Sequence, residues 1–164
     1  MRIFGIDPGL TGAFALLDIN ADGGMGAYSV EDIPTFATSR GREYAIATLA
    51  DRFCALRIGV LTDCFLEQSQ PMPKQGVRSM FTVGVGFGIW LSLLAVTKTP
   101  FTLVRPATWK KALGMSKDKE VCRKRAMELF PHAEPRLRRK MDHGRAEALL
   151  LAYYGMIYTT RRGE

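Results

Sequence analysis

Four acidic residues stand where apolar runs stop or start. Asp7 ends the run Arg2-Ile3-Phe4-Gly5-Ile6, Glu67 follows Phe65-Leu66, and Asp142 and Glu147 open a strongly apolar last segment. Carboxylates at the ends of neighbouring strands, met by a helix terminus, converge in one cleft, which is where open α/β sheets bind ligands. Acids crowded in this way repel one another unless a hard cation neutralises them. Oxygen donors suit Mg²⁺, with Mn²⁺ as a substitute. Two such ions about 3.5–4 Å apart activate a water and stabilise the leaving oxygen of a phosphodiester.

Each acid also has a plainer local reading. Asp7 before Pro8-Gly9 suits a turn, Glu67 an exposed strand end, and Asp142 a helix N-cap. Glu147 is the least ordinary of them, because Ala146, Leu149, Leu150 and Tyr153 surround it with apolar side chains. His143 and Glu147 are four apart and share a helical face. Asp142 and Glu147 are five apart, roughly 140° around an ideal helix, and meet one cluster only if Asp142 sits in a non-helical cap. Geometry favours the His143/Glu147 pair and charge favours Asp142/Glu147, so both stay open.

The elements that must position these residues follow from the hydrophobic pattern. Arg2 to Ile6, Ala13 to Ile19 and Met25 to Ile33 read as three strands of an antiparallel meander, separated by Asp7-Pro8-Gly9 and by the turn 20–26. From Arg42 to Leu56 the apolar residues Ala45, Ile46, Leu49, Phe53 and Leu56 recur at helical spacing. Val60 to Leu66 is a fourth strand and Pro100 to Val104 a fifth. Val77 to Val96 is a long helix studded with Gly84, Gly86 and Gly88. Pro106 to Leu113, Lys117 to Leu129 and His143 to Tyr158 complete the helices. The result predicted is one α/β domain over 1–164, a mixed five-stranded sheet with helices on both faces.

Charge narrows the partner. Lys plus Arg total 23 against 16 acids, a formal +7, and such a surplus favours a polyanion, since neutralising phosphates releases counterions. Cys54, Cys64 and Cys122 form no CxxC pair, which argues against a structural zinc site or a disulfide framework. The chain runs from Met1 straight into a strand, and its most apolar stretch, Phe81 to Val96, reads as too short for a membrane span. A cytoplasmic protein with no membrane partner is expected.

The motifs, taken together, resemble the RuvC family of Holliday-junction resolvases, in its phage and plastid branch. Gly5-Ile6-Asp7-Pro8-Gly9 with Thr11-Gly12 is similar to the family's first-strand motif. Leu66-Glu67-Gln68 through Pro73-Lys74-Gln75-Gly76-Val77, then Ser79-Met80-Phe81 and Gly84, is similar to the second. Arg105-Pro106 with Trp109-Lys110-Lys111, and Lys140 through Leu150, follow in the family's order, so the resemblance spans almost the whole chain. It implies a ribonuclease H-like fold, a homodimer, and symmetric nicking of branched, four-way DNA without a small-molecule cofactor. It also implies Asp7, Glu67, Asp142 and Glu147 as the ligands of Mg²⁺, two ions per site, with His143 as the alternative to Asp142. Two positions depart from bacterial members: Gly144 stands where their third acid lies, and Gln70 where they carry an aromatic wedge. Met72, Met80, Phe81, or the amides of Gln68, Gln70 and Gln75, are the substitutes for opening a junction.

Lys74, Gln75, Arg78, Met80, Phe81, Arg105, Lys110, Lys111 and Arg145 are the DNA contacts expected, with Lys117 and Lys119 as further phosphate partners. Trp109 either stacks on a base or anchors a helix; the anchor is favoured. The run Arg136, Arg138, Arg139, Lys140 is a solvated face or part of the strand path. Asp7 to Gly12 also resembles the phosphate loop of actin-like kinases, but that class needs two such domains. A non-catalytic binding module of the same fold, or a nuclease for flaps and forks, are the other readings.

Overall fold

A computed structural model describes residues 1–39, 41–57, 62–70, 75–116 and 118–163. Strands β1 (Arg2–Asp7), β2 (Ala13–Ile19) and β3 (Met25–Asp32) pair antiparallel, with Asp7 opposite Ala13 and Ala13 opposite Asp32. This is the meander that the two turn sequences predict. Next to it β6 (Thr62–Glu67) runs parallel to β1, and β7 (Phe101–Val104) parallel to β6. The sheet order is β3-β2-β1-β6-β7. Parallel neighbours need a crossover; here it is made by α1 (Ile46–Arg57) before β6 and α2 (Val77–Val96) before β7. Helices α3 (Pro106–Ala112), α4 (Lys119–Leu129), the single turn α5 (Glu134–Leu137) and the long α6 (His143–Gly163) follow.

Side-chain alternation along the strands splits the core in two. Ile3 and Phe65 pack with Ala13, Ala15 and Leu17 beneath the α6 residues Ala148, Leu149 and Ala152. Phe4, Ile6, Cys64 and Leu66 point the other way, onto Leu49 and Phe53 of α1 and Trp90 and Leu94 of α2. The axis of α6 lies hard against β1: a Cβ on Gly5 would stand 2.2 Å from the carbonyl oxygen of Ala148. Only glycine permits that approach.

Two expectations change. The helix expected from Arg42 starts only at Ile46, and Arg42 to Tyr44 belong instead to a hairpin of β4 (Thr35–Thr38) and β5 (Gly41–Tyr44), with Phe36 opposite Glu43 and Thr35 opposite Tyr44. Its four-residue strands are too short to show periodicity, so the helical spacing that begins at Ile46 reads back into β5 as far as Arg42. And α2, at 20 residues, is long and apolar enough by those measures to cross a bilayer. Its Gly86, Trp90 and Leu94 face is buried against the sheet, while much of the rest is exposed. The beginning expected for the fourth strand, at Val60, lies outside the described residues.

Candidate active site

β1 and β6 are in register with Ile6 beside Leu66, so the next residues, Asp7 and Glu67, end adjacent strands about 4.8 Å apart. Alternation turns both onto the face covered by α6. There Glu147 projects from the second turn of α6, 7% exposed among apolar neighbours. Carboxylates 60 and 80 positions apart thus meet at one end of the sheet.

Each is held by a specific donor. The Gly9 N–H donates to Asp7 Oδ1 at 3.1 Å, closing the turn after β1. The Trp109 indole N–H donates to Glu67 Oε2 at 2.7 Å, and Lys110 Nζ donates to Glu147 Oε1 at 2.6 Å. Lys110 Nζ also lies 5.0 Å from the Trp109 ring centroid. Pro106 starts α3, where its fixed φ and missing N–H cost nothing, and α3 delivers Trp109 and Lys110 as consecutive residues. Burial and the Glu147 charge push Asp7 up to about 6, against the pull of the Gly9 N–H, Lys119 and Lys110. Burial and the Asp7 charge push Glu67 up to about 7, with Trp109 opposing, Glu147 adding and Lys110 opposing. Burial works against the Lys110 charge, but Glu147 outweighs it and holds the ammonium above its ordinary value.

Asp142 is held by arginines. It is 3% exposed, in a 3₁₀ turn (Lys140–Asp142), and accepts from the Arg139 N–H at 3.0 Å, Arg139 Nη2 at 2.9 Å and Arg145 Nη1 at 3.5 Å. Burial opposes its charge, yet the two arginines keep it below the usual carboxylate range. Sequence reasoning did not foresee these partners of Asp142, because arginines three before and three after it show no contact in a linear reading. His143 starts α6 one turn before Glu147, half-buried, between a small cleft beside Asp142 and a second beside Lys119 and Lys140.

The expected DNA contacts divide. Arg78, Phe81, Arg105 and Lys111 are exposed and Met80 half-buried, while Gln75 donates to Ser79 Oγ at 2.9 Å. Lys110 is withdrawn onto Glu147. Arg145 pairs with Asp32 and Asp142 and donates to the Arg136 carbonyl. Trp109 is fully buried, so it anchors α3 and does not stack on a base. Lys74, Lys117 and Met72 lie outside the described residues. Sequence reasoning missed Trp109 as the partner of Glu67; the adjacent Trp-Lys pair after Arg105-Pro106 was the available signal.

Among the described residues no three acid, imidazole or thiol side chains are placed to share one ion as they stand; Glu147 faces Lys110 instead. The donor set nonetheless fits a hard divalent cation: clustered carboxylates with oxygen donors only, of which Asp7 and Glu67 have their proton affinity raised by burial first and by neighbouring acid charge second.

This sheet order, with acids at the ends of β1 and β6 and on α6, is a ribonuclease H-like fold, the fold of the RuvC structures on which the chain superposes. Thermus thermophilus RuvC superposes with a TM-score of 0.64 at 20% identity over 99% of this chain and 97% of that one. The T. thermophilus RuvC in complex with a Holliday junction substrate gives 0.61 at 19%, over 98% and 96%. The yeast mitochondrial Holliday junction resolvase Ydc2 gives 0.58 at 17%, over 97% and 79%. In sequence the chain is 35% identical over 103 residues to the chloroplastic Holliday junction resolvase MOC1 of Chlamydomonas reinhardtii, a match spanning 60% of this chain and 12% of that relative's length. No family model matches the chain.

Proposed function

We propose that this chain is a RuvC-type resolvase, an endonuclease that cuts four-way DNA junctions by divalent-metal-dependent phosphodiester hydrolysis. The observation that carries the reading is the convergence of Asp7, Glu67 and Glu147, from three separate elements, in a buried cluster on a protein of net charge +7. A sequence relative and three structural neighbours named as resolvases or RuvC support it. Asp7, Glu67 and Glu147 would hold Mg²⁺ or Mn²⁺, with His143 on the same face of α6 as a nitrogen ligand. Two bound ions would supply an activated water and charge stabilisation for the leaving oxygen. Gly9 and Trp109 orient Asp7 and Glu67, and Lys110 neutralises Glu147 until it is released to the site. A cytoplasmic setting belongs to the same proposal, and a plastid fits the chloroplastic relative equally well.

A symmetric cut needs two centres, so the working unit is a homodimer. The outward side of α2 supports this: Gly84, Gly88 and Ser92, spaced by four, share one face, a Cβ on either glycine would meet nothing, and Val77 and Val96 are 80% and 82% exposed. The deciding experiment compares nicking of junction, flap, duplex and hybrid by the wild type with Asp7→Asn and Glu67→Gln. Opposed nicks in a junction, lost in both variants while junction binding in Ca²⁺ is kept, are expected. Binding without nicking by the wild type would leave only a binding module, and nicks in a single strand would argue against the dimer.

A further inference from the structure

Gly144 stands where bacterial members of the RuvC family carry an acid, and the fold shows what fills that space instead. It is the second residue of α6 and is buried. A Cβ there would overlap the Thr11 carbonyl oxygen and stand 3.0 Å from Gly12 Cα. The backbone of α6 therefore rests directly on the turn that follows β1, an approach open only to glycine. Any side chain at 144 would push the two apart.

From that point a line of main-chain contacts leads to the first acid. A Cβ on Gly12 would overlap the Asp7 carbonyl oxygen and stand 2.8 Å from the Gly9 carbonyl oxygen. The Gly12 N–H donates to the Gly9 carbonyl at 2.8 Å, and the Gly9 N–H donates to Asp7 Oδ1 at 3.1 Å. The Ile33 N–H, just past β3, donates to the Gly12 carbonyl at 3.1 Å and ties the same turn to the sheet. The Asp7 carboxylate is thus linked to α6 through backbone atoms alone. Glu147 lies three residues beyond Gly144, about one turn along the same helix. Where α6 touches the turn fixes how far the last acid stands from the first.

We infer that Gly144 is a positioning residue: by letting α6 rest on the Thr11–Gly12 backbone, it sets the spacing of Glu147 from Asp7 that a shared cation needs. The inference rests on the reading of Asp7 and Glu147 as metal ligands given above. Groups that orient metal ligands are worth roughly ten- to a hundredfold in affinity, and a misplacement of about 1 Å is enough to spoil an oriented site. An acid at 144 would accordingly weaken the site, because its Cβ displaces α6 before its carboxylate reaches an ion. The far part of α6 offers the control. A Cβ on Gly155 would lie 2.5 Å from Phe65 Cδ2 and 2.9 Å from Ile3 Cγ2. There the obstacle is core side chains, about 12 Å along the helix from Glu147.

The test measures Mn²⁺ affinity by titration calorimetry, with melting curves alongside, for the wild type, Gly144→Ala, Gly144→Asp and Gly155→Ala. Both substitutions at 144 are expected to weaken Mn²⁺ binding roughly ten- to a hundredfold. Gly155→Ala should melt earlier yet bind Mn²⁺ as the wild type does. Unchanged affinity in Gly144→Ala, or tighter binding by Gly144→Asp, overturns the inference and leaves the metal reading in place. An equal loss in Gly155→Ala overturns it too, since affinity would then follow stability alone. A wild type that binds no Mn²⁺ sinks the metal reading and the inference with it. Should neither variant at 144 fold, amide exchange in the metal-free wild type decides. The Gly12 N–H is expected to exchange as slowly as the α6 amides around Leu149; free exchange at Gly12 would mean that α6 does not hold the turn, and overturns the inference.

Discussion

Lys110 Nζ lies 2.6 Å from Glu147 Oε1, with the two side chains only 12% and 9% exposed. An ammonium thus supplies the counter-charge for a carboxylate that also feels Asp7 and Glu67. The phosphate contact expected of Lys110 from the sequence therefore requires that it first leave Glu147.

Removing the ammonium while keeping its stem, as in Lys110→Met, strands Glu147 among two other acids. Breaking a buried pair costs about 3–5 kcal/mol, so the metal-free variant should melt well below the wild type. Saturating Mn²⁺, which binds only the folded state, should recover most of the loss. Melting curves with and without Mn²⁺ decide it; an equal deficit in both would mean that Lys110 and the ion do not compete for Glu147.

Trp109→Phe keeps an aromatic ring at this buried position but removes the donor to Glu67. Because that hydrogen bond lowers the Glu67 pKa, its loss should raise it further and move the acid limb of the cleavage–pH profile upward. Charge-assisted bonds are worth about 1.5–3 kcal/mol, so a shift of about one to two pH units is expected. An unmoved profile would reduce Trp109 to packing.

The metal-free protein should lose stability as pH rises. Asp7 and Glu67 are held at about 6 and about 7 against ordinary values of 3.8 and 4.5, so the folded state binds their protons more tightly. That contribution is complete below the ordinary values and disappears as pH climbs through the raised ones. Comparing melting with that of an Asp7→Asn, Glu67→Gln double variant isolates it. The variant should show a flatter profile, and parallel profiles would refute the assignment.

Asp142→Asn tests whether Asp142 acts through its arginines. Weakening its bonds to Arg139 and Arg145 should cost stability, about 1.5–3 kcal/mol, while Mn²⁺ affinity falls far less than in Glu147→Gln. Equal losses of Mn²⁺ binding would restore Asp142 as a ligand.

Much of this was legible along the chain. Asp7 and Glu67 stand out because each ends an apolar run, and the 3.6-residue spacing of Ala146, Leu149, Leu150 and Tyr153 marks α6 before any fold is known. The hairpin 35–44 was not legible, since its pairing depends on contacts such as Tyr44 with Pro8 and Thr82. Nor was the fate of Arg145, whose partner Asp32 is 113 residues away.

Periodicity and turn residues act over a few neighbours, so the order of residues alone determined the strands, the long helices and where acids interrupt them. Which acids share a cleft, and which cation answers each, was decided by strand register and by the docking of α6 and α3. Those are through-space relations, and electrostatic partners are chosen by distance in the folded molecule. Asp142 and Glu147 sit five residues apart on one stretch of chain, yet the fold gives one to two arginines and the other to Lys110.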